Sequence, residues 1–150
     1  GKSGGWCCAQ ARRNGAKRIL VLDIAARPLE RVRGAGLADE VFALDATRPV
    51  EVMEAVARAT GGALCDLVVN CASVGNTEMA SILSCRDGGA VLFFSMATSF
   101  TAAALGAEGV GKDVTLYVGN GYARGHAELT LGLLREEAEV RRIFEERFVA

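Results

Sequence analysis

The sequence predicts an α/β protein with a doubly wound, mostly parallel sheet. Along its 150 residues, apolar runs of strand length alternate with segments of helical period. The strand-like runs are nearly continuous in Val, Leu, Ile and Phe, which is typical of parallel strands covered by helices on both faces. Short turns that contain Gly connect the two kinds of segment, as expected for an α/β alternation.

Five strands and six helices follow from these patterns. The predicted strands are 18–24, 41–45, 67–71, 90–95 and 114–118, and the predicted helices are 6–13, 28–33, 49–59, 76–84, 100–105 and 126–148. Thr47 and Asn76 are the expected N-caps of the third and fourth helices, because short polar side chains favour that position. Glycines are expected to end the third and fourth helices and to break the fifth: Gly61-Gly62, Gly88-Gly89, and Gly106, Gly109 and Gly111.

The composition excludes several classes of protein. The chain is 51% hydrophobic and 23% charged, with a formal net charge of -1. This length corresponds to about one domain, and the apolar content is sufficient for a substantial core. There is no basic excess of the kind that binds nucleic acid, no apolar run of the ~18 residues that a membrane span requires, and no signal-peptide pattern. We expect a cytoplasmic protein that binds neither nucleic acid nor membrane.

The opening stretch Gly1-Lys2-Ser3-Gly4-Gly5 precedes a predicted helix. A Gly-rich turn at a helix start presents free backbone N–H groups and the positive end of the helix dipole, which together bind anions. Asp23 ends the next predicted strand about 20 residues after Gly4, the spacing at which a dinucleotide-binding unit places its ribose-binding carboxylate. The pattern predicts a Rossmann-like domain over residues 1–150, with Gly1, Lys2, Ser3 and Gly4 binding phosphate, although an ordinary Gly-rich turn would look similar.

A strand normally precedes the phosphate loop of such a unit, and none precedes Gly1 in this sequence. We therefore expect that the chain begins within the motif and that the first, central strand of the sheet lies upstream.

Two residues bear on the choice of cofactor, NAD or NADP. A carboxylate at Asp23 would accept from two ribose hydroxyls and repel a 2′-phosphate, whereas Arg27, four residues later, could pair with that phosphate. Asp45 closes the next strand, either near the adenine or simply as a turn residue.

Small polar residues follow the third and fourth predicted strands. Ligands of doubly wound sheets bind outside the carboxyl ends of the strands. Asn70, Cys71 and Ala72 after one strand, and Ser95 and Met96 after the other, are therefore expected beside the nicotinamide ribose and carboxamide. Plain turns would have the same composition.

Three residues are weak candidates for acid/base chemistry. Glu78 and Glu108 are expected near the same edge of the sheet, and His126, the one histidine of the chain, starts the last predicted helix. Ordinary surface or helix-terminal roles are the alternative for each. The five cysteines lack metal-ligand spacing, so we expect them to be reduced and no metal to bind.

Gly1-Lys2-Ser3 also matches the end of a P-loop, with Asp23 as a possible magnesium-binding carboxylate. The interval between Lys2 and Asp23 leaves room for only one helix, which suits a dinucleotide fold better.

Several runs of the second half resemble the L-erythro-3,5-diaminohexanoate dehydrogenases. These are 76–83, 87–89, 93–101, 104–113, 119–122 and 125–128, together with the opening Gly1-Lys2-Ser3-Gly4. The resemblance covers most of the chain and is far more specific than a glycine fingerprint.

The resemblance implies an activity in lysine fermentation. Members of that family oxidatively deaminate the 3-amino group of the substrate with NAD or NADP, and they release ammonia and 5-amino-3-oxohexanoate. The implied architecture is similar to that of medium-chain dehydrogenases, in which a catalytic N-terminal domain precedes the cofactor domain. That domain is absent from this sequence, so the acid/base is expected upstream, and Glu78 and Glu108 are the candidates here for a substrate ammonium. The last strand often pairs across a dimer in such architectures, which makes a homodimer the expected assembly.

Two other kinds of function remain open at this point. One is a different medium-chain-like NAD(P) oxidoreductase, such as an alcohol or quinone reductase, which should lack the runs 93–101 and 106–113. The other is a non-catalytic domain that senses NAD(H).

Overall fold

The computed structural model describes residues 2–119 and 122–149, with the side chains of Lys2 and Arg147 left undescribed. The chain divides into two compact units. The first unit comprises Gly1–Ala43 and Tyr122–Ala150, and the second comprises Leu44–Gly121.

Helices and strands alternate through most of the described chain. In order, the elements are α1 (Lys2–Arg13), β1 (Leu20–Asp23), α2 (Ala26–Gly34), β2 (Glu40–Ala43), α3 (Pro49–Thr60), β3 (Cys65–Asn70), α4 (Glu78–Ser84), β4 (Cys85–Phe93), α5 (Phe100–Gly109), β5 (Val114–Val118), α6 (His126–Glu136) and α7 (Ala138–Phe148). All strand pairs are parallel, so the predicted α/β class with parallel strands is confirmed.

The described residues of the first unit form a two-stranded sheet and four helices. β1 and β2 pair in register from Leu20 with Glu40 to Asp23 with Ala43, and α2 packs on both strands. Helix α1 contacts α6 and α7. The rings of Trp6 in α1 and Phe144 in α7 lie 4.7 Å apart between centroids. The buried side chains of this core are Cys8, Ala9, Ile19, Val32, Leu37, Ala38, Leu133 and Val140.

The second unit contains a three-stranded sheet in the order β3-β4-β5. Helix α4 packs against β3, β4, α3 and α5, and is therefore central to this unit. The buried core lies between α4, α5 and β4, and consists of Ile82, Cys85, Val91, Phe93, Ala103 and Ala107. A doubly wound dinucleotide fold has the strand order 3-2-1-4-5-6. The parallel two-stranded sheet matches the 3-2 group of this order in the number and direction of its strands. The parallel three-stranded sheet matches the 4-5-6 group in the same way.

The strand ends differ from the prediction, most of all in β4. The predicted helix-ending turn at Gly88-Gly89 is wrong, because both residues lie within β4. Gly88 adopts a φ of 71°, and its N–H donates to the Asp113 carbonyl at 2.6 Å. A Cβ on Gly89 would lie 2.9 Å from the carbonyl oxygens of both Arg86 and Asp66. Gly is thus required here by close strand packing, a long-range contact that local sequence does not reveal.

Both predicted N-caps are wrong. Arg48 occupies the N-cap of α3 without a side-chain bond, and the Thr47 hydroxyl donates instead to Asp45 Oδ1 at 2.8 Å. Asn76 adopts a left-handed φ of 63°, and Thr77 takes the N-cap position of α4. Gly61 ends α3 with a φ of 63°, as predicted.

Two helix lengths also differ from the prediction. Helix α5 continues through Gly106, because this residue lets α5 approach α4: a Cβ there would meet Met79 Sδ at 2.6 Å. The long last helix is in fact two helices, since Glu137 has φ −104° and ψ 94°.

Candidate nucleotide-binding site

The predicted phosphate-binding residues lie at the start of α1. Lys2, Ser3 and Gly4 are in its first turn rather than in a loop, and Gly1 lies outside the described residues. The first N–H groups of a helix have no intrahelical acceptor, and the helix dipole adds partial positive charge there. A Cβ on Gly4 would have no atom within 4 Å. The first turn therefore has the donors and the space that a phosphate group requires.

Asp23 lies at the carboxyl end of β1, as predicted. Its Oδ1 accepts from the backbone N–H of Ala25 at 3.0 Å, which fixes the turn into α2. Arg27 is an exposed residue in the first turn of α2. The structure thus places the two residues expected to choose between NAD and NADP in neighbouring positions after the same strand.

Asp45 follows β2 and closes the turn before α3. Its Oδ1 accepts from the Thr47 N–H at 2.9 Å and from the Thr47 hydroxyl at 2.8 Å. These bonds stabilise the carboxylate and lower the pKa of Asp45 below its ordinary value of 3.8. The observed geometry is that of an ionised turn residue, and a role near the adenine stays a prediction.

The two loops expected beside the nicotinamide lie at one edge of the second unit. β3 and β4 are parallel, so both end at this edge. The N–H of Phe94 donates to the Asn70 carbonyl at 3.0 Å, and the N–H of Gly119 lies 3.4 Å from the Phe93 carbonyl. The β3–α4 loop (71–77) and the β4–α5 loop (94–99) therefore leave the sheet side by side. They carry the predicted residues Cys71, Ala72, Ser95 and Met96.

Asn70 is buried, and its side-chain amide is bonded within the second unit. Its Nδ2 donates to Thr77 Oγ1 and to Ser81 Oγ, each at 2.9 Å, and its Oδ1 accepts from the Ala72 N–H at 3.0 Å. The amide thus shapes the β3–α4 loop instead of projecting from it. Sequence reasoning missed Thr77 and Ser81 as the partners of the Asn70 amide. The available signal was their i, i+4 spacing on one face of a helix that follows a strand ending in Asn.

Glu78 is almost completely buried, with 2% of its surface exposed. Its Oε1 accepts from the backbone N–H of Ser99 at 2.7 Å. Ser99 is the N-cap of α5, and its own side chain accepts from the Ala102 N–H. The sequence offered Glu78 as an acid/base candidate, a contact for a substrate ammonium, or a helix-terminal or surface carboxylate. The structure places it in the first turn of α4 and buries it, so the surface interpretation is wrong and the helix-terminal position is confirmed.

Glu108 lies at the opposite end of the unit from these loops. It is exposed in the last turn of α5, which begins after the carboxyl end of β4 and leads to the amino end of β5. At 1.5 Å per residue, α5 spans about 15 Å. The expectation that Glu78 and Glu108 share one edge is therefore not met, because the helix between the loop and β5 separates them.

His126 is the exposed first residue of α6. Its Nδ1 lies 2.7 Å from the Ala123 carbonyl, so Nδ1 carries the proton in that bond. The ring of Tyr122 meets it edge-on with centroids 5.2 Å apart. Of the motif at 119–122, Asn120 and Gly121 lie outside the described residues.

The described part of the chain has neither a group of metal ligands nor a helix that could span a membrane. Within 2–119 and 122–149, no three His, Cys, Asp or Glu side chains are grouped as metal ligands. No helix of the same ranges combines the length and the apolarity needed to cross a membrane.

Two curated proteins are similar to nearly the entire chain. The L-erythro-3,5-diaminohexanoate dehydrogenases of Acetoanaerobium sticklandii and Fusobacterium nucleatum are 48% and 43% identical to it. Each alignment covers 99% of this chain and 44% of the relative. The chain thus spans less than half the length of these relatives. No protein-family profile matches it.

Solved dehydrogenase structures share the fold. Alcohol dehydrogenase TADH from Thermus sp. ATN1 is 27% identical, with a TM-score of 0.67 over 95% of this chain and 40% of its own. A mycobacterial quinone oxidoreductase, 20% identical, gives a TM-score of 0.69 over 97% of this chain and 50% of its own. 2R,3R-butanediol dehydrogenase from Bacillus subtilis, 17% identical, gives 0.67 over 100% of this chain and 44% of its own. The resemblance to L-erythro-3,5-diaminohexanoate dehydrogenases and the predicted fold class are both confirmed.

Proposed function

We propose that this chain is the nucleotide-binding part of an enzyme that oxidatively deaminates L-erythro-3,5-diaminohexanoate, with NAD or NADP as the oxidant. The observation that carries the proposal is the 48% identity, over 99% of the chain, to a dehydrogenase named for that substrate. In the proposed reaction the 3-amino carbon is oxidised, water replaces the nitrogen, and ammonia and 5-amino-3-oxohexanoate are released. The nicotinamide, when bound, supplies the two-electron acceptor.

The geometry supports a dinucleotide in the first unit. The first turn of a helix has N–H groups without intrahelical acceptors, and at Gly4 the first turn of α1 also has open space for a pyrophosphate. The carboxylate of Asp23 lies at the carboxyl end of β1, where a ribose would be bound. We assign Ser3 and Gly4 to the phosphates and Asp23 to the adenosine ribose, with Arg27 as the residue that would admit a 2′-phosphate.

The second unit supports a site for the reactive end of the cofactor. The β3–α4 and β4–α5 loops leave the same edge of the sheet and present Cys71, Ala72, Ser95 and Met96. We assign this edge to the nicotinamide ribose and carboxamide, because ligands of such sheets bind at the carboxyl ends of the strands. The curated relatives have more than half of their length without a counterpart here. We therefore propose that the substrate pocket and the acid/base depend on residues outside these 150.

The test is a steady-state assay of the protein in its natural full-length context. Nicotinamide reduction is followed with L-erythro-3,5-diaminohexanoate, with NAD and NADP in parallel and with simple alcohols as controls. Turnover that requires the diamine is the expected result. Dinucleotide binding without diamine turnover would leave the fold assignment intact and contradict the substrate. Magnesium-dependent ATP binding without dinucleotide binding would contradict both and favour the P-loop alternative.

One other oxidoreductase function has an observation in its favour. The fold is shared with an alcohol dehydrogenase and a quinone oxidoreductase at TM-scores of 0.67 and 0.69. The same assay separates this alternative, since alcohol or quinone turnover in place of diamine turnover would establish it.

Two further properties belong to the proposal. We infer a homodimer formed through β5, because this strand pairs with β4 on one side only among the described residues and exposes Tyr117 and Val118. An open edge readily accepts another strand. Light scattering of the full-length protein, with Thr115→Pro in β5 as the disrupting variant, tests this inference. We also infer a cytoplasmic location, because Cys8, Cys65 and Cys85 are free thiols, as is usual in a reducing compartment.

A further inference from the structure

We propose that Glu78 is a positioning residue: its buried carboxylate holds the β4–α5 loop through the Ser99 N–H, and so keeps that loop in the shape that binds the nicotinamide end of the cofactor. This inference rests on the proposed function and deepens it, since it gives Glu78 a role other than proton transfer or contact with substrate.

The burial of Glu78 is the first argument. A carboxylate removed from water destabilises a protein unless hydrogen bonds or opposite charge compensate. Within the described residues, no Lys, Arg or His forms an ion pair with Glu78, and the bond from Ser99 N–H at 2.7 Å is its partner across the unit. A backbone N–H at the N-terminus of α5 also carries partial positive charge. The carboxylate is thus suited to fixing this N–H.

The position of Ser99 is the second argument. The β4–α5 loop is bonded at its first residue, where Phe94 N–H donates to the Asn70 carbonyl, and at its last, where Ser99 N–H donates to Glu78. Between these two points the loop contains Ser95 and the fully exposed Met96. Loss of the Glu78 bond would free one end of the segment that carries these two predicted cofactor contacts.

The start of α4 links the two loops. Glu78 follows Thr77 directly, and Thr77 Oγ1 accepts from the buried Asn70 amide at 2.9 Å. Adjacent residues at the start of α4 therefore hold the β3–α4 loop on one side and the β4–α5 loop on the other. Both loops should keep a fixed relative geometry as long as these bonds remain.

Two substitutions separate positioning from chemistry. Glu78→Gln keeps an acceptor oxygen and removes the charge, whereas Glu78→Ala removes the acceptor. Glu54→Ala is the matched control, because Glu54 is an exposed carboxylate on α3 of the same unit. The readouts are KM for the dinucleotide, kcat with the diamine, and hydrogen exchange of backbone amides at 94–102 in the full-length protein.

We expect Glu78→Ala to raise the KM for the dinucleotide about tenfold or more, because the Ser99 N–H loses the acceptor that holds the end of the loop. Exchange at 94–102 should become faster. Glu78→Gln should stay within about threefold of the parent in kcat and KM, as the amide oxygen restores the bond, and Glu54→Ala should match the parent. Loss of kcat in Glu78→Gln with unchanged exchange at 94–102 would overturn the proposal, because it would assign an acid/base or charge role.

The exchange readout needs neither substrate nor cofactor, so its outcome is independent of whether the diamine is turned over. If Glu78→Ala does not fold, hydrogen exchange in the unmodified protein still tests the proposal. Slow exchange of the Ser99 amide is expected, and exchange as fast as that of an exposed loop amide would overturn the proposal.

Discussion

The two units of the chain hold their predicted cofactor residues in different ways. In the first unit, Asp23 is half-buried and accepts from the N–H of Ala25, two residues later. In the second unit, Asn70 and Glu78 are buried and bonded to residues on other elements, Ser81 and Ser99 among them. The predicted cofactor residue of the first unit is thus half-buried, whereas these polar residues of the second unit are buried and shape its loops.

The apolar contacts show the same contrast. Phe93, Ile82, Cys85 and Val91 of the second unit have no exposed surface. The strands of the first unit are only partly buried, and their surroundings include exposed ion pairs such as Arg12–Asp39 and Arg13–Glu136. Exposed ion pairs contribute about 0–1 kcal/mol each. The most completely buried side chains of the second unit lie on α4 and β4, whereas those of the first unit, such as Ala9, Leu133 and Val140, lie on its helices.

The largest effect on stability is expected when a phenylalanine is replaced by alanine, a change that can be made once in each unit. Phe93→Ala removes a fully buried ring and should lower the free energy of unfolding by about 3–5 kcal/mol. Phe148→Ala removes a ring that is 56% exposed and lies 5.8 Å from Phe144 between centroids, and should cost about 1 kcal/mol. Denaturant titration of the full-length protein measures both. Equal effects would contradict the contrast in packing.

Three glycines of the second unit form a graded series. Gly89→Ala forces a Cβ to within 2.9 Å of two backbone carbonyl oxygens and should destabilise by about 1–3 kcal/mol. Gly106→Ala meets the flexible end of Met79 and should destabilise less. Gly109→Ala meets nothing within 4 Å in a helix and should stabilise by about 0.5–1 kcal/mol. Thermal unfolding gives the order, and a stable Gly89→Ala protein would show that the strands do not pack this closely.

Cofactor choice tests the recognition role of the first unit. Asp23→Asn removes the charge that would repel a 2′-phosphate, and should shift the kcat/KM ratio towards NADP by about tenfold. Arg27→Ala should shift it towards NAD if Arg27 contacts that phosphate. The ratio, measured with both dinucleotides at one diamine concentration, has Glu30→Gln as its control, an exposed carboxylate on the same helix. An unchanged ratio in both variants would remove Asp23 and Arg27 from the site.

The smallest effect concerns Asp39 of the first unit. Its carboxylate accepts from the Ile19 N–H at 2.6 Å and from Arg12 at 2.9 Å, and these bonds lower its pKa below 3.8. A lowered pKa in the folded state contributes stability that is present above the unfolded pKa and is lost as pH falls through the folded value. Asp39→Asn should therefore lower the Tm at neutral pH, and the difference should vanish in strong acid. A difference in Tm between Asp39→Asn and the parent that grows below pH 4 would contradict a stabilising role for the ionised Asp39.

Much of the fold could be predicted because its signals are local. Continuous apolar runs identified all five strands, and β5 was placed at its exact bounds, Val114–Val118. Errors arose where a distant contact decides the outcome. Gly88 and Gly89 look like a turn in sequence but lie in a strand that packs on Asp66 and Asp113. Gly106 looks like a helix breaker but fits against Met79.

In the candidate site, too, local features could be predicted from the sequence and features that depend on distant contacts could not. The carboxyl ends of β3 and β4 were predictable, and with them the neighbouring positions of Asn70, Ser95 and Met96. The burial of Glu78 was not, because it depends on α5 bringing Ser99 to the start of α4. The separation of Glu108 from that edge was missed because the predicted α5 was too short.

The most direct test of the central claim is the stoichiometry of one turnover. The full-length protein is incubated with L-erythro-3,5-diaminohexanoate and an excess of NAD or NADP, and the reduced nicotinamide and the ammonia are both quantified. Oxidative deamination predicts one equivalent of each, formed together. Reduced nicotinamide without ammonia would indicate oxidation at another carbon, and ammonia without reduced nicotinamide would indicate elimination, and either result would contradict the account.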